Sequence, residues 1–436
     1  MIAQTFHDAF SPEWIKTHLN NPTHDLVILH HIIPWQPIID QLVPYYNQRK
    51  GRTGHSLRIL VATSILSRLR QLSDRKVIES IQENRYMQYF CNIPDSELMT
   101  FLHPSTLCRF RQRIGEEGAL IIEEQVFQHL KRASVIDADM MLMDATVLES
   151  PIIYPTDVRL LYKAFGKMAA LVTEAKLELW WDHTHLKQRW RAYNLDRQER
   201  LAYLSEFYAL FEPALEYFKQ HQGTLEDSPL KERCQHLLDA LTILDAQTQL
   251  KLTGQRHIDN RLVSLDDLDA RPIKKGKRHP KTEFGTTLQM TFNRQGFMIT
   301  TENFIGHPNE KTLYGATLER FQQRMKAYPG TAVTDLGFRS ANNLKLMSHE
   351  IDHLFMGRSS DVDEAQQKAC RQARSATEGF IAVAKHLRGF GQSLYRGLKG
   401  ATLWTRLSQC AYNLKKFLQL YRAEALTEST LIKLRL

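Results

Sequence analysis

The chain has 436 residues, 43% of them hydrophobic and 24% charged, so we expect a soluble globular protein of two or three domains. No apolar run approaches the roughly 20 residues that cross a bilayer, and the N-terminus has no pattern of a signal peptide. The five cysteines are scattered, which predicts reduced thiols and a cytoplasmic protein. A net charge of +9 is compatible with a polyanionic partner.

Residues 51–115 have the pattern of a compact helical module. Apolar residues recur at helical spacing over 57–65, and Ser73 is a suitable cap for a second helix. Pro104 opens a last short helix, which we expect to end at Gly115, and residues 117–131 to form a linking helix.

Three arginines in this short helix are candidates for DNA binding. Arg109, Arg111 and Arg113 alternate with Phe110 and Ile114. A helix that presents arginines after a short turn is what a helix-turn-helix uses on DNA phosphates and base edges. A solvated basic face on a structural helix bundle is the alternative.

The stretch MMLMDATVLESPIIYPTD, residues 140–157, places one carboxylate in an apolar run. The composition favours a buried strand that carries Asp144, although periodicity alone does not exclude a buried helix. A carboxylate there is costly to desolvate without a cation, so Asp144 is either hydrogen-bonded to nearby backbone or a metal ligand.

The following residues alternate between helical and strand patterns. Residues 158–250 have long helical periodicity, typical of an insertion of several antiparallel helices. Strands alternating with helices then indicate an α/β sheet, in which Asp335 ends a short strand. The predicted strands are 283–292 and 296–304, joined as a hairpin, then 331–335 and 351–356, with a helix over 311–326 between them.

A late helical segment carries Arg374, Glu378 and Lys385 near one face. Arg374 and Glu378 alone could be a surface ion pair of little energetic value. Together with Asp144 and Asp335, however, Glu378 gives three acids on two strands and a helix. Oxygen ligands of this kind suit Mg²⁺, and two such ions can activate a nucleophile and stabilise a leaving oxygen.

These blocks resemble those of DDE-type insertion-sequence transposases, and the resemblance covers nearly the whole chain. MDATVLESPIIYPTDVRLL is similar to the first-aspartate block and AVTDLGFRSANN to the second, while Arg374, Glu378 and Lys385 match an Arg-x3-Glu-x6-Lys signature. RTGHSLRILVATSILSRLRQLSDRKVIESI and HPSTLCRFRQRIG are similar to the N-terminal module. One departure is Arg371, because the fuller signature has a tyrosine at that position.

The resemblance implies an α/β, ribonuclease-H-like mixed-sheet core interrupted by a helical insertion and preceded by an all-α domain. We expect a helical DNA-binding domain over 1–135, a core over 136–160 and 251–425, and an insertion over 161–250. The implied reaction is metal-dependent cleavage at the element ends followed by strand transfer.

In that reaction Asp144, Asp335 and Glu378 would hold Mg²⁺ or Mn²⁺, and Arg374 and Lys385 would hold phosphates. The implied partners are double-stranded terminal inverted repeats, target DNA and a second copy of the chain when it assembles on DNA. The protein would then be cytoplasmic and associated with the nucleoid. A catalytically inactive or domesticated DNA-binding relative is the alternative function.

Overall fold

The computed structural model describes residues 9–47, 54–100, 102–179, 181–195, 200–222, 228–255, 257–274, 282–346, 351–357 and 363–434. Its secondary structure is a mixed sheet among many helices, which confirms the predicted mixed α/β class. Within these ranges no helix is long and apolar enough to cross a membrane.

The N-terminal part is entirely helical and begins its helices with side-chain caps. The Oγ atom of Ser56 accepts the amide of Arg58, and Ser73 caps the following helix as predicted. The seven helices are α1 (Pro12–His18), α2 (Asp25–Ile32), α3 (Trp35–Leu42), α4 (Leu57–Leu69), α5 (Asp74–Glu83), α6 (Arg85–Cys91) and α7 (Pro104–Arg132).

Helix α7 consists of two helical segments that meet at Gly115. The backbone there has φ 60° and ψ −162°, outside the helical region. Glycine adopts positive φ without the steric cost that a Cβ atom imposes, so the chain can break at this residue and resume as a helix. The predicted helix end at Gly115 and the linking helix that follows are both confirmed.

After the first strand, four long helices form a group with its own hydrophobic core. They are α8 (Asp157–Glu174), α9 (His183–Leu195), α10 (Arg200–Gln222) and α11 (Pro229–Leu252). Phe165, Phe207 and Phe211 lie in this core, whose members all fall between residues 158 and 265. The helices therefore bury their apolar faces mainly against one another.

The sheet has six strands, with order β4-β3-β1-β5-β6 and with β2 paired to the start of β3. Strands β1, β3 and β4 are antiparallel neighbours, whereas β1, β5 and β6 are parallel. The predicted hairpin and both later strands are confirmed. The strands are β1 (Met140–Glu149), β2 (Arg271–Ile273), β3 (Glu283–Phe292), β4 (Met298–Ile305), β5 (Thr331–Thr334) and β6 (His353–Met356).

Helices cover both faces of the sheet, so alternate residues of β1 enter different cores. Met141 and Met143 pack in the cluster that contains α7 and the helix after β4. Leu142 and Leu148 point to the opposite face, where residues of α14 (Glu364–Leu387) and α15 (Gly397–Arg422) pack. The other helices after β4 are α12 (Glu310–Met325), α13 (Ala341–Lys345) and α16 (Glu428–Leu434).

Two features join the N-terminal helices to the sheet. Helix α15 packs against α4, α7 and β4, and most of its length is buried. In addition, Arg324 of α12 donates to both carboxylate oxygens of Glu123 on α7 at 2.5 Å, and the side chain of Glu123 is fully buried. The N-terminal helices are therefore packed directly onto the sheet layer.

Candidate active site

The first two predicted acids directly follow paired residues of neighbouring parallel strands. Met143 of β1 pairs with Thr334 of β5, and this last pair of the ladder immediately precedes Asp144 and Asp335. Neighbouring strands are about 4.8 Å apart, so the two acids start from backbone positions that are close together. Asp144 lies two residues after Leu142 and Asp335 two residues after Val333, and both apolar side chains belong to the core on the face covered by α14, so strand alternation favours that face for the acids.

Strands β1 and β5 end at different points relative to these aspartates. Strand β5 ends at Thr334, whereas β1 continues to Glu149, where it still pairs with β3 and also forms an isolated bridge with Gln392. The Oδ1 atom of Asp144 accepts the amide of Ala145 at 2.6 Å, and Asp335 caps the 3₁₀ turn that begins at Leu336. Local backbone donors therefore orient both carboxylates at the place where β5 ends.

The third predicted acid, Glu378, comes from α14, which packs on β1 and β5. One nitrogen of Arg374, Nη2, lies 3.6 Å from Oδ1 of Asp335 and 3.8 Å from Oε1 of Glu378. Those two oxygens cannot be further apart than the sum of these distances, 7.4 Å. Arg374 thus supplies a positive charge between the acid at the end of β5 and the acid on the helix.

The same three side chains are open to solvent, with 45% of Asp335, 66% of Glu378 and 41% of Arg374 exposed. A shallow depression lined by Phe355, Arg371, Arg374 and Glu378 lies next to them. A large substrate could therefore reach the carboxylates, and the ion pairs with Arg374 contribute little to stability because water screens them.

Lys385, the last member of the signature, points into a different environment. Its Nζ atom lies 3.1 Å from Oε1 of Glu283, the first residue of β3, and only 14% of Lys385 and 5% of Glu283 are exposed. Sequence reasoning assigned no role to Glu283, because its distance of 102 residues from Lys385 gives no local signal of the pair. The lysine ties the end of α14 to the sheet.

The carboxylate set is chemically suited to a hard divalent cation but is not assembled as a compact cage. Asp144, Asp335 and Glu378 offer only oxygen donors, which Mg²⁺ and Mn²⁺ prefer. Within the described ranges, no three His, Cys, Asp or Glu side chains lie close enough together to hold a metal ion. Holding a cation with all three carboxylates would require their side chains to rearrange from this arrangement.

The three arginines predicted to bind DNA differ in their surroundings. Arg109 is exposed and donates to Ser105 of its own helix. Arg111 is 8% exposed and forms two hydrogen bonds with the carboxylate of Asp74. The guanidinium of Arg113 lies 4.4 Å from the ring centre of Tyr46.

The helical period explains this difference. Residues two apart on a helix point in opposite directions, whereas residues four apart share a face. Arg109 and Arg113 therefore lie on one side of the first segment of α7, and Arg111 points towards α5. The expectation of three arginines on one DNA-facing surface is wrong for Arg111, whose guanidinium is enclosed within the helical module.

Two known protein families match segments near the two ends of the chain. The family described as "Transposase domain (DUF772)" matches residues 15–113, and the family described as "Transposase DDE domain" matches residues 342–418. The chain is therefore similar to insertion-sequence DDE transposases near both of its ends. The first match contains the three arginines and the second contains Arg374, Glu378 and Lys385, while Asp144 and Asp335 lie outside both matches.

One curated relative matches part of the chain, and its name states no activity. The chain is 29% identical over 180 residues to "Uncharacterized protein ORF8 in nfe locus" of Rhizobium meliloti, and the match covers 39% of this chain and 83% of the relative. No solved structure matches the chain significantly.

Proposed function

We propose that this protein binds the ends of an insertion sequence and catalyses metal-dependent DNA cleavage and strand transfer at Asp144, Asp335 and Glu378. The observation that supports the proposal is the β1–β5 register, whose last pair, Met143 and Thr334, directly precedes Asp144 and Asp335, while the helix that bears Glu378 packs on both strands. Arg374 lies between the second and third acids. A cation in this place could bind a phosphate group of the DNA when the DNA is present.

We also propose that the core is ribonuclease-H-like. The support is a sheet of three antiparallel strands followed by two parallel ones, with the acids at the junction between β1 and β5. The proposed division is a helical domain over 1–135, a core over 136–160 and 251–425, and an insertion over 161–250. The separate hydrophobic core of α8–α11 supports this division.

In the proposed reaction the three carboxylates would hold Mg²⁺ or Mn²⁺. When bound, two such ions make water or a 3′-hydroxyl a better nucleophile and stabilise the leaving oxygen. Arg374 would exchange its carboxylate partners for a phosphate oxygen, because a guanidinium fork suits either anion. Asp144 and Asp335 accept hydrogen bonds from backbone amides, and holding a cation with all three carboxylates would require their side chains to rearrange.

DNA recognition is proposed for the N-terminal helices, with Arg109 and Arg113 as the candidate phosphate contacts. Arg109 is accessible now, and Arg113 could reach DNA while its stem remains against Tyr46. Terminal inverted repeats and target DNA are the proposed partners, with a homodimer assembled on DNA. We propose a cytoplasmic location at the nucleoid, where such DNA is found.

The test is incubation of the protein with the DNA that flanks its own gene, with and without Mg²⁺. We expect nicking at the element end that requires the metal and is lost in Asp144→Asn, Asp335→Asn and Glu378→Gln. Removing a charged ligand at the reacting centre typically costs about 10²–10³ in rate. The matched control is Glu364→Gln, the same change at an exposed position of the first turn of α14, which should cleave normally.

Binding to terminal DNA should persist in the three acid variants, because the N-terminal helices are unchanged. If wild-type protein binds this DNA but does not cut it with Mg²⁺ or Mn²⁺, the alternative of an inactive or domesticated DNA-binding relative is correct. If Glu378→Gln cleaves at the wild-type rate, Glu378 has no part in the chemistry.

A further inference from the structure

A groove between α14 and α15 is lined by three cations and two aromatic rings. The cations are Arg388, Lys415 and Lys416, and the rings are those of Phe380 and Tyr412. None of the described residues that line this groove is acidic. It therefore carries a net positive charge, which neither the proposed cleavage site nor the N-terminal arginines explain.

Two of these cations are not balanced by a described carboxylate. Lys416 is half-buried with its Nζ atom 5.6 Å from the ring centre of Phe380, and burial lowers the pKa of its ammonium group. Arg388 donates from Nη1 to the carbonyl of Leu387 at 2.8 Å. Lys415 differs, because its Nζ atom lies 3.4 Å from Oδ2 of Asp25. A partly desolvated cation without a counter-charge is costly, and an anion in the groove would offset this cost.

The groove and the acids lie on opposite flanks of the same helix. Glu378 and Phe380 are two residues apart, which is about 200° around a helix of 3.6 residues per turn. The buried side of α14, which includes Thr377 and Ala384, lies between these flanks on the inside. On the outside, Ser375 and Gly379 are exposed and small, which leaves room for a strand to pass across the helix at their level.

The distances suit a nucleic-acid strand. A helix with its side chains is about 10–12 Å across. With about 3.4 Å of rise per nucleotide along each strand, a DNA strand that crosses α14 from the acids reaches the groove after roughly three nucleotides. Lys416 and Arg388 are suited to phosphates at that position because each supplies charge and hydrogen-bond donors.

We propose that the groove between α14 and α15 binds the DNA backbone that continues from the cleavage point, through Lys416 and Arg388, independently of base sequence. The inference rests on the proposed function, since it takes the DNA end to lie at the acids. A second copy of the chain presenting an acidic segment is the other possible occupant, and the test separates the two.

The test compares DNA binding by wild-type protein and by Lys416→Gln/Arg388→Gln, in EDTA so that no cleavage occurs. The probe is a duplex that contains the element end and its flank, used at full length and truncated at the cleavage point from either side. Each neutralised phosphate contributes about 0.9 to the slope of log affinity against log salt. We expect the double variant to lose up to about 2 from this slope on the full-length duplex.

One truncated duplex should bind wild-type protein and the double variant with equal slopes, because it lacks the phosphates that the groove contacts. Two control proteins complete the design. Lys416→Arg/Arg388→Lys keeps both charges and should keep the slope. Lys219→Gln/Lys433→Gln removes two charges from α10 and α16 and should also keep it.

Equal slopes for wild type and double variant on the full-length duplex would overturn the proposal, as would a deficit that survives both truncations. If the double variant instead loses self-association in light scattering while its DNA binding is normal, the groove holds a second copy. Failure of the proposed function has a different signature, namely wild-type protein that binds the duplex in EDTA but does not cleave it when Mg²⁺ is added.

Discussion

Lys385 has two possible roles, a phosphate contact and a structural ion pair with Glu283, and a mutation can distinguish them. Sequence resemblance implies that Lys385 holds a phosphate near the cut, whereas the structure places its Nζ atom 3.1 Å from a carboxylate that is 5% exposed. Lys385→Met keeps most of the stem and removes the charge. If the pair is structural, this change leaves Glu283 charged and buried at the start of β3.

The expected cost follows from that burial. Breaking a buried pair by removing one partner typically costs about 3–5 kcal/mol, because the remaining charge is uncompensated. Lys385 retains 14% exposure, so water can partly solvate the carboxylate in the variant, and we expect a loss near the lower limit, about 3 kcal/mol. Glu283→Gln should cost less, since the flexible lysine can turn towards solvent.

The assay is urea denaturation of wild type, both single variants and Glu283→Gln/Lys385→Met. We expect the double variant to be more stable than the sum of the single changes predicts, by about 0.5–3 kcal/mol, because it removes both charges of the pair together. DNA affinity should fall little in Lys385→Met. A variant within about 0.5 kcal/mol of wild type that binds DNA with a smaller salt slope would refute the structural role and restore the phosphate contact.

Three further predictions concern the N-terminal helices and the inserted helices. Arg109→Ala should lower the salt slope of DNA binding by about 1 without loss of stability, whereas Arg111→Ala should lower the urea midpoint because it leaves Asp74 without its bidentate partner. Gly115→Ala should destabilise by about 1–2 kcal/mol through its positive φ, measured in the same way. Although burial works against it, hydrogen bonds from two lysines lower the pKa of Asp266 to about 2. A depressed acid pKa stabilises the fold above its unfolded value of 3.8 and loses that effect as the pH falls towards 2, so Asp266→Asn should remove about 1–2 kcal/mol of acid-dependent stability over this window after allowing for screening.

The sequence alone determined the local elements, because their signals are local. The cap at Ser73 and the break at Gly115 follow from side-chain hydrogen bonds and backbone sterics within a few residues. The hairpin of β3 and β4 and the short strand β5 also follow from composition and turn chemistry.

Only the tertiary structure decided which side chains that are distant in sequence come into contact. Residue spacing does not give the β1–β5 register, so only the folded sheet shows that Asp144 and Asp335 each follow directly after the last pair, Met143 and Thr334. The partner of Lys385 is 102 residues away in sequence, and that of Arg111 is 37 residues away. The direction of Arg111 was nevertheless available from the helical period, since a residue two positions from Arg109 points to the other side.

The positive charge of the groove between α14 and α15 is a second property that the sequence alone did not show. The sequence contains Lys415, Lys416 and Arg388 as ordinary basic residues on two helices, and solvated cations on helix surfaces are common. Packing of these helices partly buries Lys416 beside Phe380 and leaves no acid in the lining. The number of charges is therefore a property of the sequence, but whether a charge is balanced or exposed depends on distances in the folded structure. The interaction energy of two charges decreases as they move apart and as water surrounds them.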